Sequence, residues 1–301
     1  MVDPANTKVV VVGAGLMGTG IAHAFASSGY PTTCVDVSTE QLAKMRKSVE
    51  GIVAGAVKLG KSTEEAAQAT LARLITSESL TDSLPGTTLL VESASERMPI
   101  KLEIVAEADR LMGPEAVIAT NTSALSITEI AKATKRPERV IGMHYFNPVH
   151  KMKLVEIIKG LETSKEVVDR TYAWAKSLNK TVIVVNEWPG FATSRMSAMM
   201  GNEAMYMLSE GVSTAEDIDT AMRLAFNHPM GPLELGDLTG WDTRLAVIQH
   251  LHQTLGEKFR PCPLILKMVK AGRYGRKTGK GVYAYDEKGE KIPGSGLKVS
   301  I

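Results

Sequence analysis

The chain has 301 residues, enough for about two domains of roughly 150 residues each. Hydrophobic residues make up 44% and charged residues 23%, which excludes a disordered chain and allows a large core. The net charge of +2 and the 5% of aromatic residues lack the basic excess and the stacking surfaces of nucleic-acid binders. We therefore expect a globular protein that does not bind nucleic acid.

The cysteines and the apolar runs indicate the compartment. Cys34 and Cys262 lie far apart without C-x-x-C spacing, so neither a disulfide framework nor a cysteine zinc site is expected. The histidines show no metal-site spacing, and we expect no metal. No uncharged apolar run approaches the roughly 20 residues of a membrane span, and the first residues are not typical of a signal peptide. These features predict a cytoplasmic protein without membrane contact.

The first half of the chain alternates strand and helix patterns. Residues 8–12 are a β-branched run typical of a strand buried in a parallel sheet, followed by a glycine-rich turn and a predicted helix over 17–28. A second strand is predicted over 32–37, which completes a right-handed βαβ unit. Residues 39–60 and 63–73 predict two helices, expected as a hairpin that protrudes from the sheet. Further strands are predicted at 88–93, 116–119, 139–145, 153–158 and 181–185, and helices at 98–112, 126–134 and 164–178.

The pattern becomes helical after residue 187. Helices are predicted at 191–210, 215–225, 241–255 and 262–271, with a loose polar tail over 286–301. We predict a domain over 1–186, a helical domain over 187–285 and then the tail. Ser126, Thr163 and Ser213 each precede a glutamate by three residues, the capping-box spacing of a helix start.

A glycine loop follows the first predicted strand. Its G-x-G-x-x-G spacing comprises Gly13, Ala14, Gly15, Leu16, Met17 and Gly18. Between a strand and a helix, this spacing is typical of a turn that holds a pyrophosphate at the helix N-terminus. The alternative is a turn that only saves space. We predict an α/β fold, with a Rossmann-type, mostly parallel sheet domain followed by an all-α C-terminal domain.

Asp36 lies near the end of the second predicted strand, 23 residues after Gly13. A carboxylate at this spacing is typical of a hydrogen bond to the ribose 2′-hydroxyl of a dinucleotide. No arginine or lysine follows between residues 37 and 43 to hold a 2′-phosphate, which favours NAD over NADP. The alternative is a carboxylate that caps the next helix.

Two segments contain candidate catalytic side chains. His144 ends one predicted strand and Glu156 lies on the next, so the two side chains meet if these strands are neighbours. A carboxylate on one imidazole nitrogen sets the tautomer and leaves the other nitrogen as a general base for a hydroxyl. That chemistry suits hydride transfer, in which an alcohol loses a proton as it loses hydride. The other segment is Asn121-Thr122-Ser123.

The motifs together resemble the L-3-hydroxyacyl-CoA dehydrogenase family, and its bacterial 3-hydroxybutyryl-CoA members in particular. The resemblance extends over nearly the whole chain. The residues that support it are Gly13 to Gly18, Glu92 to Glu96, Thr120 to Ser123, His144 to Pro148, Pro189 to Phe191, Pro229 to Leu235 and Lys277 to Gly281.

The resemblance implies a role for each matching position. His144 would be the catalytic base, oriented by Glu156, with Ser123 and Asn147 lining the reacting centre near the substrate oxygen and the nicotinamide. Glu96 and Lys101 would contact the nicotinamide-side ribose, and Lys277 would reach the cofactor from the helical domain. The hairpin would help to hold coenzyme A, and the helical domain would form a homodimer. Without the resemblance, Glu96 with Lys101 could be an ordinary exposed pair, and Lys277 part of a solvated basic run.

The sequence departs from the family pattern at two places. Many members have Asn after the Pro-Gly-Phe segment, where this chain has Ser194, whose shorter side chain reaches a substrate oxygen only by closer approach or through water. The hairpin also lacks a clear match for the coenzyme A lysine, for which Lys58 and Lys61 are candidates.

The sequence thus predicts NAD-dependent oxidation of a (3S)-3-hydroxyacyl-CoA, with a short acyl chain. One alternative is a related dehydrogenase of a free hydroxy acid or sugar acid. The other is a nucleotide-binding protein of the same fold without catalytic activity.

Overall fold

The computed structural model describes residues 2–299 and divides into two compact units, Met1–Trp188 and Pro189–Ile301. The first unit contains one eight-stranded sheet. Its strands are β1 (Val9–Val12), β2 (Thr32–Val35), β3 (Leu74–Ser77), β4 (Leu89–Glu92), β5 (Val117–Thr120), β6 (Val140–Tyr145), β7 (Leu154–Lys159) and β8 (Thr181–Asn186).

The strand order explains where a ligand can bind. The order is β3-β2-β1-β4-β5-β6-β7-β8, and every neighbouring pair is parallel except β6 with β7. The first six strands therefore have the 3-2-1-4-5-6 order of dinucleotide-binding sheets, whose ligands bind beyond the carboxyl ends of the strands. The predicted α/β fold class is confirmed.

Helices cover the sheet, and the central strands β1, β4 and β5 are buried along their whole length. Continuous apolar runs are expected of strands that have helices on both faces. The helices of the first unit are α1 (Leu16–Ser27), α2 (Thr39–Lys58), α3 (Glu64–Arg73), α4 (Leu80–Ser83), α5 (Met98–Leu111), α6 (Ile127–Ala131) and α7 (Lys165–Ser177).

The helix pair α2 and α3 packs against α1. Leu42, Met45, Val49 and Val53 recur along α2 at helical spacing, and all four are buried in the core of the first unit. The pair is therefore anchored along most of α2, and its far end, which contains Lys58, is exposed.

The second unit is helical, with a core of its own. Its helices are α8 (Thr193–Ser209), α9 (Ala215–Ala225), α10 (Pro232–Thr239), α11 (Trp241–Leu255) and α12 (Pro263–Lys270). The buried carboxylate of Asp237 fixes the segment that follows α12. It accepts from the backbone N–H groups of Val282 and Tyr283, at 2.8 Å each, and from the Trp241 indole at 2.6 Å. Burial raises the pKa of this carboxyl, while its donors act in the opposite direction.

The prediction of a loose tail is wrong for residues 286–299; residues 300 and 301 lie outside the described part. The Leu297 N–H donates to Val282 O at 2.8 Å, and the Gly296 N–H donates to Glu216 Oε1 at 2.8 Å. Leu297 and Val299 also pack against the core of the second unit. The few apolar side chains at the end of this polar segment hold it in place.

Other differences concern short elements and helix starts. The sequence prediction missed β3, α4 and α10, which have four, four and eight residues. The Ser126 cap is confirmed, since its hydroxyl accepts from the Glu129 N–H. The other two caps lie one residue later than predicted, at Ser164 and Thr214. No helix within residues 2–299 combines the length and apolar character needed to cross a bilayer.

Tyr145 on β6 provides a test of the packing in the core of the first unit. Its side chain is buried, and its hydroxyl has no hydrogen-bond partner among the described residues. A buried unpaired polar group costs about 1–3 kcal/mol, so Tyr145→Phe should leave the free energy of unfolding unchanged or raise it by about 1 kcal/mol. Urea unfolding measures this change.

Tyr283→Phe is the matched control. The Tyr283 hydroxyl donates to Ala215 O at 2.9 Å and to Asp219 Oδ2 at 2.8 Å, so its removal should lower the free energy of unfolding by about 1–3 kcal/mol. Equal losses in the two variants would contradict the assignment of Tyr145 as unpaired.

Candidate active site

The glycine loop connects β1 to α1 and brings backbone N–H groups to the edge of the sheet. Gly13 has a φ of +101°, and a Cβ there would lie 2.6 Å from Ser93 O. A Cβ on Gly18 would lie 1.8 Å from Gly13 O, so α1 packs against the turn only with glycine at that position. A Cβ on Gly15 would meet nothing within 4 Å, which leaves open space at the start of the helix. That space and the helix N-terminus fit a pyrophosphate.

Asp36 follows β2 and lies beside this loop. Its carboxylate accepts from the Ala14 N–H at 2.8 Å and from the Ser38 N–H at 2.9 Å. Ser38 itself caps α2, so the cap predicted as an alternative role for Asp36 belongs to another side chain. Each carboxylate oxygen has two lone pairs, and Asp36 can hold the loop and still accept from a ribose hydroxyl.

A buried ion pair lies at the carboxyl end of β4. The Lys101 ammonium is 2.8 Å from Glu92 Oε2 and 2.9 Å from Glu92 Oε1, and it is 3.2 Å from Glu96 Oε2. Glu92 and Lys101 are buried, whereas Glu96 is partly exposed. Glu96 and Lys101 are therefore joined, and in this structure Lys101 binds carboxylates. Its predicted contact with a ribose stays a prediction.

The loop after β5 presents Ser123. Glu96 Oε1 accepts from the Ser123 N–H at 2.8 Å and from the Thr122 hydroxyl at 2.6 Å. Asn121 Oδ1 accepts from the Tyr145 N–H at 2.8 Å, which ties this loop to the end of β6. Ser123 is exposed, so its side chain is available to a ligand at the sheet edge.

His144 and Glu156 lie directly opposite each other on the antiparallel strands β6 and β7. His144 Nδ1 is 2.8 Å from Glu156 Oε2, and both side chains are buried. An ionised carboxylate only accepts hydrogen bonds, so this contact keeps a proton on Nδ1 and makes Nε2 the nitrogen that can take another. The Phe146 ring lies beside the imidazole, with 4.6 Å between the ring centroids.

The turn between β6 and β7 lines a cleft of about 360 Å³ within the first unit. The turn contributes the exposed Asn147 to this cleft, the glycine loop contributes Gly15, and α2 contributes Lys44 and Ser48. Lys180 fixes this turn, because its ammonium donates to Val149 O at 2.5 Å and to Met152 O at 2.7 Å.

Of the other predicted site residues, one belongs to the first unit and two belong to the second. Lys58 is exposed at the end of α2 and is not among the residues that line the cleft, whereas Lys44 is. Ser194 lies in the first turn of α8, in the second unit. Lys277, also in the second unit, is 2.6 Å from Asp242 Oδ2 and lies over the Tyr274 ring. In this structure it is part of an ion pair and is not a free cation.

Sequence reasoning assigned no role to Glu92 and Lys180, which hold Lys101 and the turn between β6 and β7. Glu92 extends the apolar run of β4, and a carboxylate inside such a run is a signal for a buried partner. Lys180 precedes β8, and nothing in its sequence neighbourhood distinguishes it from an ordinary surface lysine.

The strand order, the glycine loop after β1 and the carboxylate after β2 define the class. This is a dinucleotide-binding dehydrogenase with a Rossmann-type domain. The second unit is an added helical domain.

Comparisons with known proteins place the chain within this class. Residues 8–188 match the family described as 3-hydroxyacyl-CoA dehydrogenase, NAD binding domain, and residues 190–285 match its C-terminal domain. The probable 3-hydroxybutyryl-CoA dehydrogenase of Bacillus subtilis (strain 168) is 44% identical over 282 residues, 93% of this chain and 98% of the relative. The crystal structure of (S)-3-hydroxybutyryl-CoA dehydrogenase from Ralstonia eutropha superposes with a TM-score of 0.90 at 43% identity, covering 93% of this chain and 99% of that one.

The chain therefore belongs to the 3-hydroxyacyl-CoA dehydrogenase family, as its motifs predicted. It is an NAD-dependent oxidoreductase.

The position of Asp36 predicts the choice of cofactor. A 2′-phosphate would lie against this carboxylate, and such like-charge contacts cost several kcal/mol, so kcat/KM with NADH should exceed that with NADPH by about 100-fold or more. Asp36→Ala should reduce this preference. It should also weaken NADH binding, because the Ala14 N–H loses its acceptor. Asp169→Ala, on the exposed face of α7, should change neither value, and equal use of both cofactors by the wild type would refute this assignment.

Proposed function

We propose that the enzyme interconverts a short-chain (3S)-3-hydroxyacyl-CoA and the 3-ketoacyl-CoA, with His144 as general base and acid. The support is the contact between His144 and Glu156, which keeps a proton on one nitrogen of the ring and makes the other the basic nitrogen. The relatives named as 3-hydroxybutyryl-CoA dehydrogenases support the short acyl chain.

Each site residue has a separate role in the oxidation. NAD+, held by the glycine loop and Asp36, would supply the acceptor for the hydride that leaves C3 of the substrate. His144 Nε2 takes the hydroxyl proton as hydride leaves, and the Glu156 carboxylate stabilises the imidazolium that forms. Ser123 and Asn147 bind near the substrate oxygen and orient it. In the reverse direction the imidazolium returns its proton to the ketone oxygen.

The dinucleotide and coenzyme A lie side by side at the carboxyl edge of the sheet in this proposal, because the glycine loop and Lys44 line one cleft. Gly13 to Gly18 bind the pyrophosphate, Asp36 the adenosine ribose and Glu96 the nicotinamide-side ribose. The cleft beside α2 receives coenzyme A, with Lys44 at its wall. Lys58, the candidate from the sequence, is exposed at the far end of α2 and stays a candidate for a phosphate of coenzyme A.

The assay measures NADH consumption with acetoacetyl-CoA and with longer 3-ketoacyl-CoAs. Glu156→Gln should lower kcat about 100-fold with little change in KM, because the amide cannot stabilise the imidazolium. His144→Ala should be lower still, and Glu103→Gln, on the exposed side of α5, should equal the wild type.

Each alternative outcome has a clear meaning. Wild-type turnover in Glu156→Gln would remove Glu156 from the mechanism. Wild-type activity on longer chains but not on acetoacetyl-CoA would overturn the short-chain assignment. Activity on a free hydroxy acid alone would favour the sugar-acid type of dehydrogenase, and NADH binding without turnover of any of these compounds would favour a non-catalytic protein.

We also propose a homodimer formed through the second unit. Exposed apolar side chains there, Leu224 at 77% and Phe226 at 68%, suit a buried interface. Light scattering should give twice the 32.4 kDa of the chain, and Leu224→Glu with Phe226→Glu should lower that mass. The control is Leu161→Glu, an equally exposed leucine of the first unit, which should leave the mass unchanged. A single-chain mass for the wild type would contradict the dimer.

A further inference from the structure

Lys180 connects α7 to β8 at the edge of the sheet where the candidate site lies. β7 runs antiparallel to β6, and β8 runs parallel to β7, so β8 starts at the edge where β6 ends. Asn179 has a φ of +57°, the left-handed conformation that asparagine tolerates, and the Thr181 N–H donates to Lys153 O at 2.7 Å as β8 begins. The strand topology therefore places Lys180 beside the turn that follows β6.

This turn between β6 and β7 has a helical pattern of hydrogen bonds. The N–H groups of Lys151 and Met152 both donate to Pro148 O, at 3.0 Å each. A helical turn leaves its later carbonyl groups without an acceptor role inside the turn, and they need donors from elsewhere. Lys180 is a donor to two of them, Val149 O and Met152 O. A cation at the carboxyl end of a helical turn also suits the direction of the peptide dipoles.

The contacts of Lys180 with this turn are buried. Lys180 is 8% exposed and Val149 is 2% exposed. Val149 also packs closely on α1, since a Cβ on Gly20 would lie 2.8 Å from both Val149 Cβ and Val149 Cγ2. Burial lowers the pKa of the Lys180 ammonium, and a buried charge needs polar partners, which the two carbonyl oxygens supply. The turn is thus held by α1 and by the start of β8 together.

We propose that Lys180 is a positioning residue, which acts on the reaction by holding the turn between β6 and β7 and, with it, Asn147. Asn147 is exposed, lies two residues before Val149 and lines the same cleft. A surface turn without such an anchor opens locally at little cost in free energy, and a displacement of about 1 Å in a site can lower the rate about 100-fold. The proposal rests on the proposed function through the role given to Asn147.

Lys8 provides the matched control for Lys180. It precedes β1, and its ammonium also donates to two carbonyl oxygens, Ser83 O and Pro85 O, at 2.9 Å each. Since β1, β4, β5 and β6 are parallel, the start of β1 lies at the opposite edge of the sheet from the end of β6. The two lysines therefore form the same kind of contact at opposite edges, and only Lys180 does so beside the candidate site.

The variants Lys180→Met and Lys8→Met separate positioning from stability. Each removes the charge and the donors and keeps most of the apolar stem, so each should lower Tm. At a temperature well below both Tm values, Lys180→Met should lower kcat/KM for acetoacetyl-CoA by about 10-fold or more, whereas Lys8→Met should leave it unchanged. Equal kcat/KM values in the two variants would overturn the proposal.

A milder pair of variants serves if Lys180→Met does not fold. Lys180→Gln keeps two N–H donors on a shorter side chain, and it should lower kcat/KM in the same direction by a smaller factor. Lys8→Gln is its control and should equal the wild type. A wild-type kcat/KM in a folded Lys180→Gln, with Lys180→Met unfolded, would assign Lys180 to stability alone and overturn the proposal.

A thermodynamic cycle tests whether Lys180 acts through Asn147. Asn147→Ala should lower kcat/KM, and Lys180→Met added to it should cause at most about a 2-fold further loss, because the side chain that Lys180 positions is gone. If the two losses multiply, Lys180 acts on the substrate or the cofactor by another route, which would overturn the proposal.

Hydrogen exchange measures the turn itself and does not depend on turnover. The amides of Lys151 and Met152, which donate to Pro148 O, should exchange faster in the Lys180 variant than in the wild type and the Lys8 variant. Unchanged exchange at these two amides would overturn the positioning role. A wild type that reduces no 3-ketoacyl-CoA would instead overturn the proposed function, and the exchange rates would still decide whether Lys180 fixes the turn.

Discussion

The reversal of direction between β6 and β7 is the constraint on which the site depends. In the parallel part of the sheet, neighbouring strands are joined by long crossovers, so residues that lie beside each other are far apart in sequence. An antiparallel pair needs just a short turn and sets residues directly opposite each other. His144 and Glu156 meet inside the sheet for this reason, and the turn between their strands presents Asn147 at its edge.

Carboxylates at or near the ends of elements fix loops in each unit. Asp36 holds the glycine loop, and Glu92 holds Lys101 beneath Glu96. Asp237 performs a similar task in the second unit, where it gathers the N–H groups of residues 282 and 283. In each case one acidic side chain supplies several backbone or side-chain donors with an acceptor, which leaves few conformations to the loop. The loops that contain the candidate site residues are therefore tied to the sheet by side-chain hydrogen bonds.

The sequence predicted the fold through periodicity. The apolar runs of β1 and β4 and the alternation of strands with helices led directly to a parallel sheet, and the glycine spacing identified its first turn. Short elements such as β3 and α10 escaped prediction because a few residues show no clear period. Helix starts were wrong where two hydroxyl side chains are adjacent: Thr163 donates to Val140 O, a contact distant in sequence, and the cap passes to Ser164.

The sequence by itself determined the class of protein, the motif residues and the pairing of His144 with Glu156, because local spacing and two neighbouring strands suffice for these. Only the tertiary structure decided which charges are available to a ligand. Lys101 and Glu96 look alike in the sequence as members of an exposed pair, yet one is enclosed by carboxylates and the other faces the site. Lys58 and Lys44 lie on the same helix, yet only Lys44 lines the cleft. Burial depends on contacts between distant segments of the chain. A composition of 23% charged residues with a net charge of +2 does not specify those contacts.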